Sequence, residues 1–411
     1  MPVDSSETGG DTAVRGPVQA FAATFRDALI KRTTDLLSDQ AEELFAGIAL
    51  ELKAQVAACD AGMARLKSLT EEVAGAKPER IRVLVEEYYA TAYDLFLQSR
   101  SALAFYRLSE EFLRAVSAAI VSSCVPDPGQ ATGKQAELAL IALGPSGRHE
   151  FSPFCRLQLL LVHTETDPVL AEALGRRVHG AFESIGLRPD KLITPRNPEW
   201  RGTPEQWQTR LSNGLHGGDA KELIQLLRLA DQAVLHDNVG MGSEFRRECF
   251  GHLRGSRVAV QNLVERVCGL GSGLALMGGV RLVHGGPHAG LFRLLDHALL
   301  PLSASVAALS LMQGTETGET LLRIGALNDA GWLDADVAGQ LRDAWQLFNE
   351  LRLVIESREQ PHWLSHDLLY LSMPSCSDDE QLSLLKYLKT LDQLQIHLGN
   401  SFKRWEEQLP C

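Results

Sequence analysis

No C-x-x-C pair occurs among the seven cysteines of this 411-residue chain, Cys59, Cys124, Cys155, Cys249, Cys268, Cys376 and Cys411. Scattered single cysteines are the usage of a reducing compartment and exclude a structural zinc ribbon. Nor is there any Lys/Arg-rich run, and the formal charge is −12. Without a basic field a phosphate backbone is not attracted, so nucleic acid is excluded as a partner. No apolar stretch runs uninterrupted far enough to cross a bilayer, and the opening MPVDSSETGGDTAVRGP has neither the basic flank nor the apolar core of a secretory leader. The expectation is a cytoplasmic protein with no membrane partner.

What is present is the composition of a soluble globular chain, 45% hydrophobic and 22% charged, too long for one ordinary core. Residues 1–16 carry almost no large apolar side chains and read as a disordered tail. From 17 to 125 the spacing is helical, with Phe21, Phe25 and Leu29 on one stripe and Leu84, Tyr88, Ala92, Leu95 and Phe96 on another, enough for three to five helices. The two prolines and two glycines of PDPGQATG, Pro126 to Gly133, form a linker. Beyond it, Leu138 to Leu143 and Leu157 to Val162 are short apolar runs bounded by turn residues, as strands buried on both faces should be. Pro168 to Ile185 is helical, a third strand is placed at Lys191 to Ile193, and helices follow through Leu253. From 258 to 411 the pattern is helical, broken by glycines between Gly269 and Gly290. The fold class is therefore α+β and multidomain: an N-terminal helical domain (17–125), a central α/β domain with a small mixed sheet (134–253), and a C-terminal helical bundle (258–411).

The chemistry-bearing stretch is LALIALGPSGRHEFSPFCRLQLLLV, a strand, a glycine turn and a second strand. A glycine turn lets backbone N–H groups approach a phosphate, so Gly144, Ser146 and Gly147 are candidates for such a cradle, with Arg148 and Arg156 as cationic partners. The pattern G-x-x-G-R-x-E-x-x-P-x-x-x-x-x-L-L-x-[VIL], carried by Gly144, Gly147, Arg148, Glu150, Pro153, Leu159 and Leu160, resembles the signature of the uridylyltransferase that modifies PII signalling proteins. Up to Glu150 it is also similar to the DUF294 group of bacterial nucleotidyltransferase-like proteins. Three later stretches are similar to that group: PRNPEWRGTPEQW (Pro195 to Trp207), GLFRLLDHALLPLSASVAAL, and the segment ending in Glu350, Leu351, Arg352 and Leu353. The resemblance spans about Pro126 to Leu353 and implies a nucleotidyltransferase-like central domain. Neither a cyclic-nucleotide nor a CBS module, common in that group, fits the N-terminal helices.

In active relatives, the resemblance implies, two aspartates at i and i+2 of the second strand hold magnesium on the triphosphate. Here those positions are Arg156 and Gln158, a fixed cation and a weak amide ligand. Both are expected on one face of the strand beside the turn. Pro145 removes a backbone donor from the cradle, which Ser146 restores in part. No residue is assigned a catalytic role and no metal ligand is assigned; no cofactor is required, and a nucleoside triphosphate is the candidate ligand.

Other residues admit a bland reading beside a sharp one. Glu150 reads as a structural partner of its own neighbourhood, and Arg148 stands between that role and ligand contact. Glu165, Asp167 and Asp190 are candidate replacement metal ligands, but solvated turn residues is the preferred reading. His236-Asp237 and His366-Asp367 repeat a phosphohydrolase dipeptide without the further ligands it needs, and are read as chance. The Gly269–Gly290 glycines lack a phosphate-loop pattern and read as close packing or a mobile loop. Trp200 and Trp207 line a pocket or lie buried under an irregular loop. Three functions follow: a catalytically degenerate nucleotidyltransferase homologue with a regulatory or scaffolding role, its cleft kept for a nucleotide or partner; an active protein-modifying nucleotidyltransferase using magnesium; or an interaction module whose N-terminal helices bind another protein. A role in nitrogen signalling is what the PII resemblance would imply.

Overall fold

A computed structural model describes residues 38–124, 137–216, 226–271, 273–275, 278–358 and 369–407. The tail expected at 1–16, the Pro126–Gly133 linker and the His366-Asp367 dipeptide lie outside the described residues. Three helices, α1 (Ser38–Val73), α2 (Pro78–Ser99) and α3 (Ala102–Cys124), precede the sheet. Pro78 at the first helical position starts α2, and Arg100 in the left-handed region ends it by closing onto the carbonyl of Phe96. Their shared core is aromatic: Tyr88 stacks on Phe112, Tyr89 meets the same ring edge-on, and Tyr93 packs against Phe105.

The central sheet has the order β3-β2-β1-β4. Strands β1 (Leu138–Leu143) and β2 (Gln158–His163) run antiparallel with Leu143 opposite Gln158, which fixes the start of β2 beside the glycine turn. Every residue of LALIAL is buried, because α3 packs against the sheet at β4 while a later helix covers β1 as well. Helix α4 (Pro168–Ser184) follows β2 and is capped by the carboxylate of Asp167. The third strand differs from expectation. Residues 191–194 are a chain of bends that touches the second strand only through bonds such as Leu159 N–H to the Ile193 carbonyl, 3.1 Å, because Asp190 caps the amides of Leu192 and Ile193 into a turn. The parallel partner of β2 is β3 (Arg201–Gly202), two residues from the irregular stretch after Pro198.

After α5 (Pro204–His216) comes a strand within the span read as helical, β4 (Gln232–Asp237), antiparallel to β1 with an irregularity at Leu140/Ile141. Its apolar run is too short for period to separate strand from helix. Helix α6 (Met241–Gly255) covers β1 at Gly242, where an added Cβ would come within 2.9 Å of the Ala139 Cβ. The C-terminal part comprises α7 (Arg257–Cys268), a two-residue β5 (Phe292–Arg293), α8 (Leu300–Gln313), α9 (Thr320–Asp329), α10 (Ala335–Arg358), β6 (Tyr370–Leu371) paired with β5, and α11 (Asp378–Glu407). The small β5-β6 pair was not legible in a helical reading. Leu295–Gln313, a π-helical turn running into α8, is long and apolar enough to span a bilayer by composition, yet 72% of it is buried among α6, α7, α9 and α11, the placement of a core helix. Helix α10 packs on α2 and α3 as well as on α9 and α11, tying both helical parts together.

Two glycines allow the central and C-terminal parts to meet. A Cβ on Gly147 would lie 2.2 Å from the Asp231 carbonyl oxygen, and one on Gly318, in the loop before α9, 2.3 Å from the Gly147 carbonyl oxygen. Gly147→Ala is therefore expected to cost about 1–3 kcal/mol of unfolding free energy by overpacking against backbone. Gly251→Ala, inside α6 with open space around its would-be Cβ, should instead add up to about 1 kcal/mol. Urea denaturation of both variants checks this, and equal losses in the two would contradict the assignment of Gly147 to a close approach.

Candidate functional site

The chain leaves β1 through one helical turn, Gly144–Gly147. Gly144 has φ +60, the left-handed region glycine enters at little cost, and its would-be Cβ lies 2.8 Å from Oε1 of Gln158. The amides after the turn close onto it: Arg148 N–H to Gly144, His149 N–H to Ser146, and Glu150 N–H to Pro145 at 2.8 Å. These donors are engaged internally and do not form an open cradle. Ser146 is buried, and its hydroxyl has no hydrogen-bond partner among the described residues.

Pro145, Arg148, Glu150, Phe154, Cys155, Arg156, Gln158 and Asp190 line a cleft of about 280 Å³ opposite Leu295, Leu299, Leu300 and Leu369, with Arg352 and Glu356 from α10. Arg156 stands just ahead of β2 rather than within it, but it and Gln158 face this one cleft beside the glycine turn. Gly144, Ser146 and Gly147 are not among its lining residues.

The floor is a buried ionic network. Glu150, 4% exposed, accepts from Thr320 Oγ1 at 2.6 Å, Trp345 Nε1 at 2.8 Å and Arg148 Nε at 3.0 Å. Arg148 continues to Asp231 at 2.8 Å, and Asp231 also accepts from Arg323 at 2.6 Å. Burial works to raise the Asp231 carboxyl, but the Arg148 and Arg323 guanidinium groups outweigh it and hold it below the usual range. A second knot joins α10 to the segment after the turn. Arg352 donates to Glu356 and Ser152, both at 2.8 Å, and to the Cys155 sulfur; Tyr93 and Ser152 donate to the same Glu356 carboxylate. Burial, reinforced by Glu356, pushes the Tyr93 phenol far up, so it remains a donor. Phe151 and Phe154 set the segment against Tyr89 and Tyr93.

Other candidates sit elsewhere. Glu165 accepts from the Asp167 amide and Asp167 caps α4, both past the far end of β2. That strand end lies roughly 20 Å from the turn. Of the three acids only Asp190 reaches the cleft, and its Oδ1 accepts the amides of Leu192 and Ile193. Asp237 caps the start of α6 through the amides of Gly240 and Gly242, so the His236-Asp237 dipeptide has a structural use. Trp207 is buried between Trp200 and Phe245 and bonds the Leu161 carbonyl, while Arg210 lies over its ring. Between Gly269 and Gly290, the described residues form turns bridged at Leu274 and Val280, and Gly273 packs against Leu388 and Phe292. Among the described residues no group of three or more His, Cys, Asp or Glu gathers at metal-binding spacing.

Sequence reasoning missed Asp231, Arg323, Trp345 and Glu356, because each lies far along the chain from the turn it supports. Arg352 was visible only as part of a family-like ending. Asp231→Asn is expected to cost about 3–5 kcal/mol at neutral pH, since it leaves buried arginines short of a counter-charge. Because the folded Asp231 pKa lies below its unfolded value, its contribution is present above about pH 4 and is lost as pH falls through the folded pKa. Chemical denaturation at pH 7 and pH 3.5 should thus show a gap between wild type and variant that narrows in acid; a constant gap would contradict the assignment.

Residues 86–221 match the family described as Putative nucleotidyltransferase DUF294, and residues 257–402 match the one described as Putative nucleotidyltransferase substrate binding domain, DUF294_C. The first match begins within α2, earlier than the resemblance read from the glycine turn, and the second runs through most of α11. No curated protein matches the chain. With both matched spans meeting at the ionic floor of one cleft, the chain belongs to the DUF294-type family of putative nucleotidyltransferases.

Proposed function

We propose that this protein is a nucleotidyltransferase-fold homologue that binds a nucleotide through its phosphates without metal, does not transfer it, and acts as a regulatory protein. The observation that carries the reading is the pair Arg156 and Gln158, which line the cleft beside the glycine turn where active relatives are expected to present two carboxylates. The donor set does not fit a divalent cation. Arg156 repels one, Gln158 offers one neutral oxygen, and the carboxylates of Glu150 and Glu356 are saturated by protein donors. Asp190 alone is too few. No step of metal-assisted transfer is therefore derived.

What the cleft offers instead is a guanidinium and an amide beside an apolar lip of Leu295, Leu299 and Leu300. A guanidinium fork pairs with phosphate oxygens directly, and leucine side chains suit the face of a base. Arg148 takes no direct part in this reading, being held by Glu150 and Asp231; it stiffens the wall instead.

Two outcomes test the proposal. Incubation with each common labelled nucleoside triphosphate, with magnesium or manganese, should incorporate no label into protein above a blank. Metal-dependent incorporation lost in Asp190→Asn would overturn the reading in favour of an active protein-modifying transferase. Arg156→Ala should weaken nucleotide binding about tenfold or more by calorimetry, the loss of one charge-assisted pairing. An unchanged affinity, or no binding by either protein, would leave the cleft vestigial and favour the interaction module.

A further inference from the structure

A second cavity lies in the C-terminal part, away from the cleft. Helix α9 ends at Asp329, and Ala330 and Gly331, the latter at φ +71, turn the chain back into Trp332. The Ala326, Leu327 and Asn328 carbonyls at the end of α9 accept from the amides of Ala330, Gly331, Trp332 and Leu333. Facing it, His397, Ser401, Arg404 and Trp405 fall on one side of α11 at i, i+4, i+7 and i+8. These residues enclose about 300 Å³.

The lining is rich in donors and holds no carboxylate. Arg404 hydrogen-bonds Ser401 Oγ at 3.4 Å and makes no ion pair among the described residues. His397 Nε2 lies 2.9 Å from the Trp332 carbonyl oxygen, which fixes Nε2 as the protonated nitrogen. The same N–H reaches Ser401 Oγ at 3.3 Å, so that oxygen accepts from both His397 and Arg404 and its own proton is left to donate. The indole N–H groups of Trp332 and Trp405 bond no described residue, and Phe402 stacks behind Trp405 to hold its ring. A guanidinium with no ion pair among the described residues, a donating hydroxyl and two indoles converge on a space the size of a small ligand.

We propose that this cavity is a binding site for a small aromatic carboxylate, its carboxylate on Arg404 and Ser401 and its ring against Trp332 and Trp405. An Arg fork matches a carboxylate in geometry and charge, and flat apolar bodies pack on indole faces. The site is separate from the cleft, sharing no lining residue with it: helix α10 begins at Ala335, three residues after Trp332, and reaches Arg352 at the cleft on the order of 25 Å along its axis.

Ligand-observed NMR and calorimetry with benzoate and indole-3-carboxylate test the proposal on the full chain. Wild type should bind at least one of them at up to about 1 mM, and Arg404→Met should weaken that binding about tenfold or more. The unfolding midpoint of Arg404→Met should match wild type because Arg404 is exposed, and Trp332→Phe, which keeps an aromatic packed on the core but shrinks the ring face, should weaken binding less than Arg404→Met does. Benzyl alcohol, which keeps the ring and lacks the charge, should not bind. Arg156→Ala should leave the affinity untouched, which separates this site from the nucleotide cleft. Failure of wild type to bind either acid, or equal binding by Arg404→Met, would overturn the assignment; adenosine monophosphate binding lost in Arg404→Met while both acids fail would assign the site to a phosphate ester instead.

Discussion

The buried carboxylate of Glu150 is the constraint around which the molecule is arranged. It sits three residues past the glycine turn and receives one donor each from Arg148 just after that turn, from α9 and from α10. A buried charge is tolerated only when its lone pairs are met by well-placed donors, and here the donors come from both family-matched spans. Asp231 repeats the arrangement on the other side of Arg148, drawing in Arg323, which is 1% exposed and also donates to the Thr317 and Ala230 carbonyls. The close approach of Gly318 to Gly147 is what brings these charges into register. Central and C-terminal parts are thus joined by ions rather than by apolar contact alone.

That junction shapes the cleft. The motif's arginine and glutamate, Arg148 and Glu150, line the cleft and are bonded to each other, to Asp231 and to Thr320 and Trp345 of the C-terminal helices. Arg352 and Glu356 do the same on the α10 side, with Tyr93 and Ser152 completing the pair. Also lining the space are the residue pair at the start of β2, Asp190, and Leu295, Leu299 and Leu300 where the π-helical turn runs into α8. Arg156 and Gln158 thus stand on the cleft beside a buried network in which Arg148, Glu150, Asp231, Arg323, Arg352 and Glu356 are bonded to one another or to neighbouring protein groups.

Much of this was legible in the sequence, and the pattern of what was not has a physical cause. LALIAL and QLLLVH announced themselves because strands covered on both faces need unbroken apolar runs, and both lie within a residue of where that run predicts. The helix over Pro168–Ser184 was marked by Asp167 and Pro168 at its start. β3 and β5 were not legible, since two-residue strands carry no period, and QAVLHD follows a leucine-rich stretch whose spacing continues as helix. At the site, the turn and the Arg156/Gln158 pair were readable because they are local. The partners Asp231, Thr320, Arg323 and Trp345 were not, because a buried ion pair formed across eighty or more residues leaves no mark in spacing.

The measurement that bears most directly on the proposal that a guanidinium takes a metal's place in this cleft is a comparison of nucleotide affinity in EDTA and in magnesium. It is made on wild type and on the double variant Arg156→Asp with Gln158→Asp. Calorimetry should find the wild-type affinity indifferent to magnesium and falling with added salt, whereas the variant, with two carboxylates on the same face, should bind only when magnesium is present. A wild-type protein that binds nucleotide only with magnesium would contradict the account.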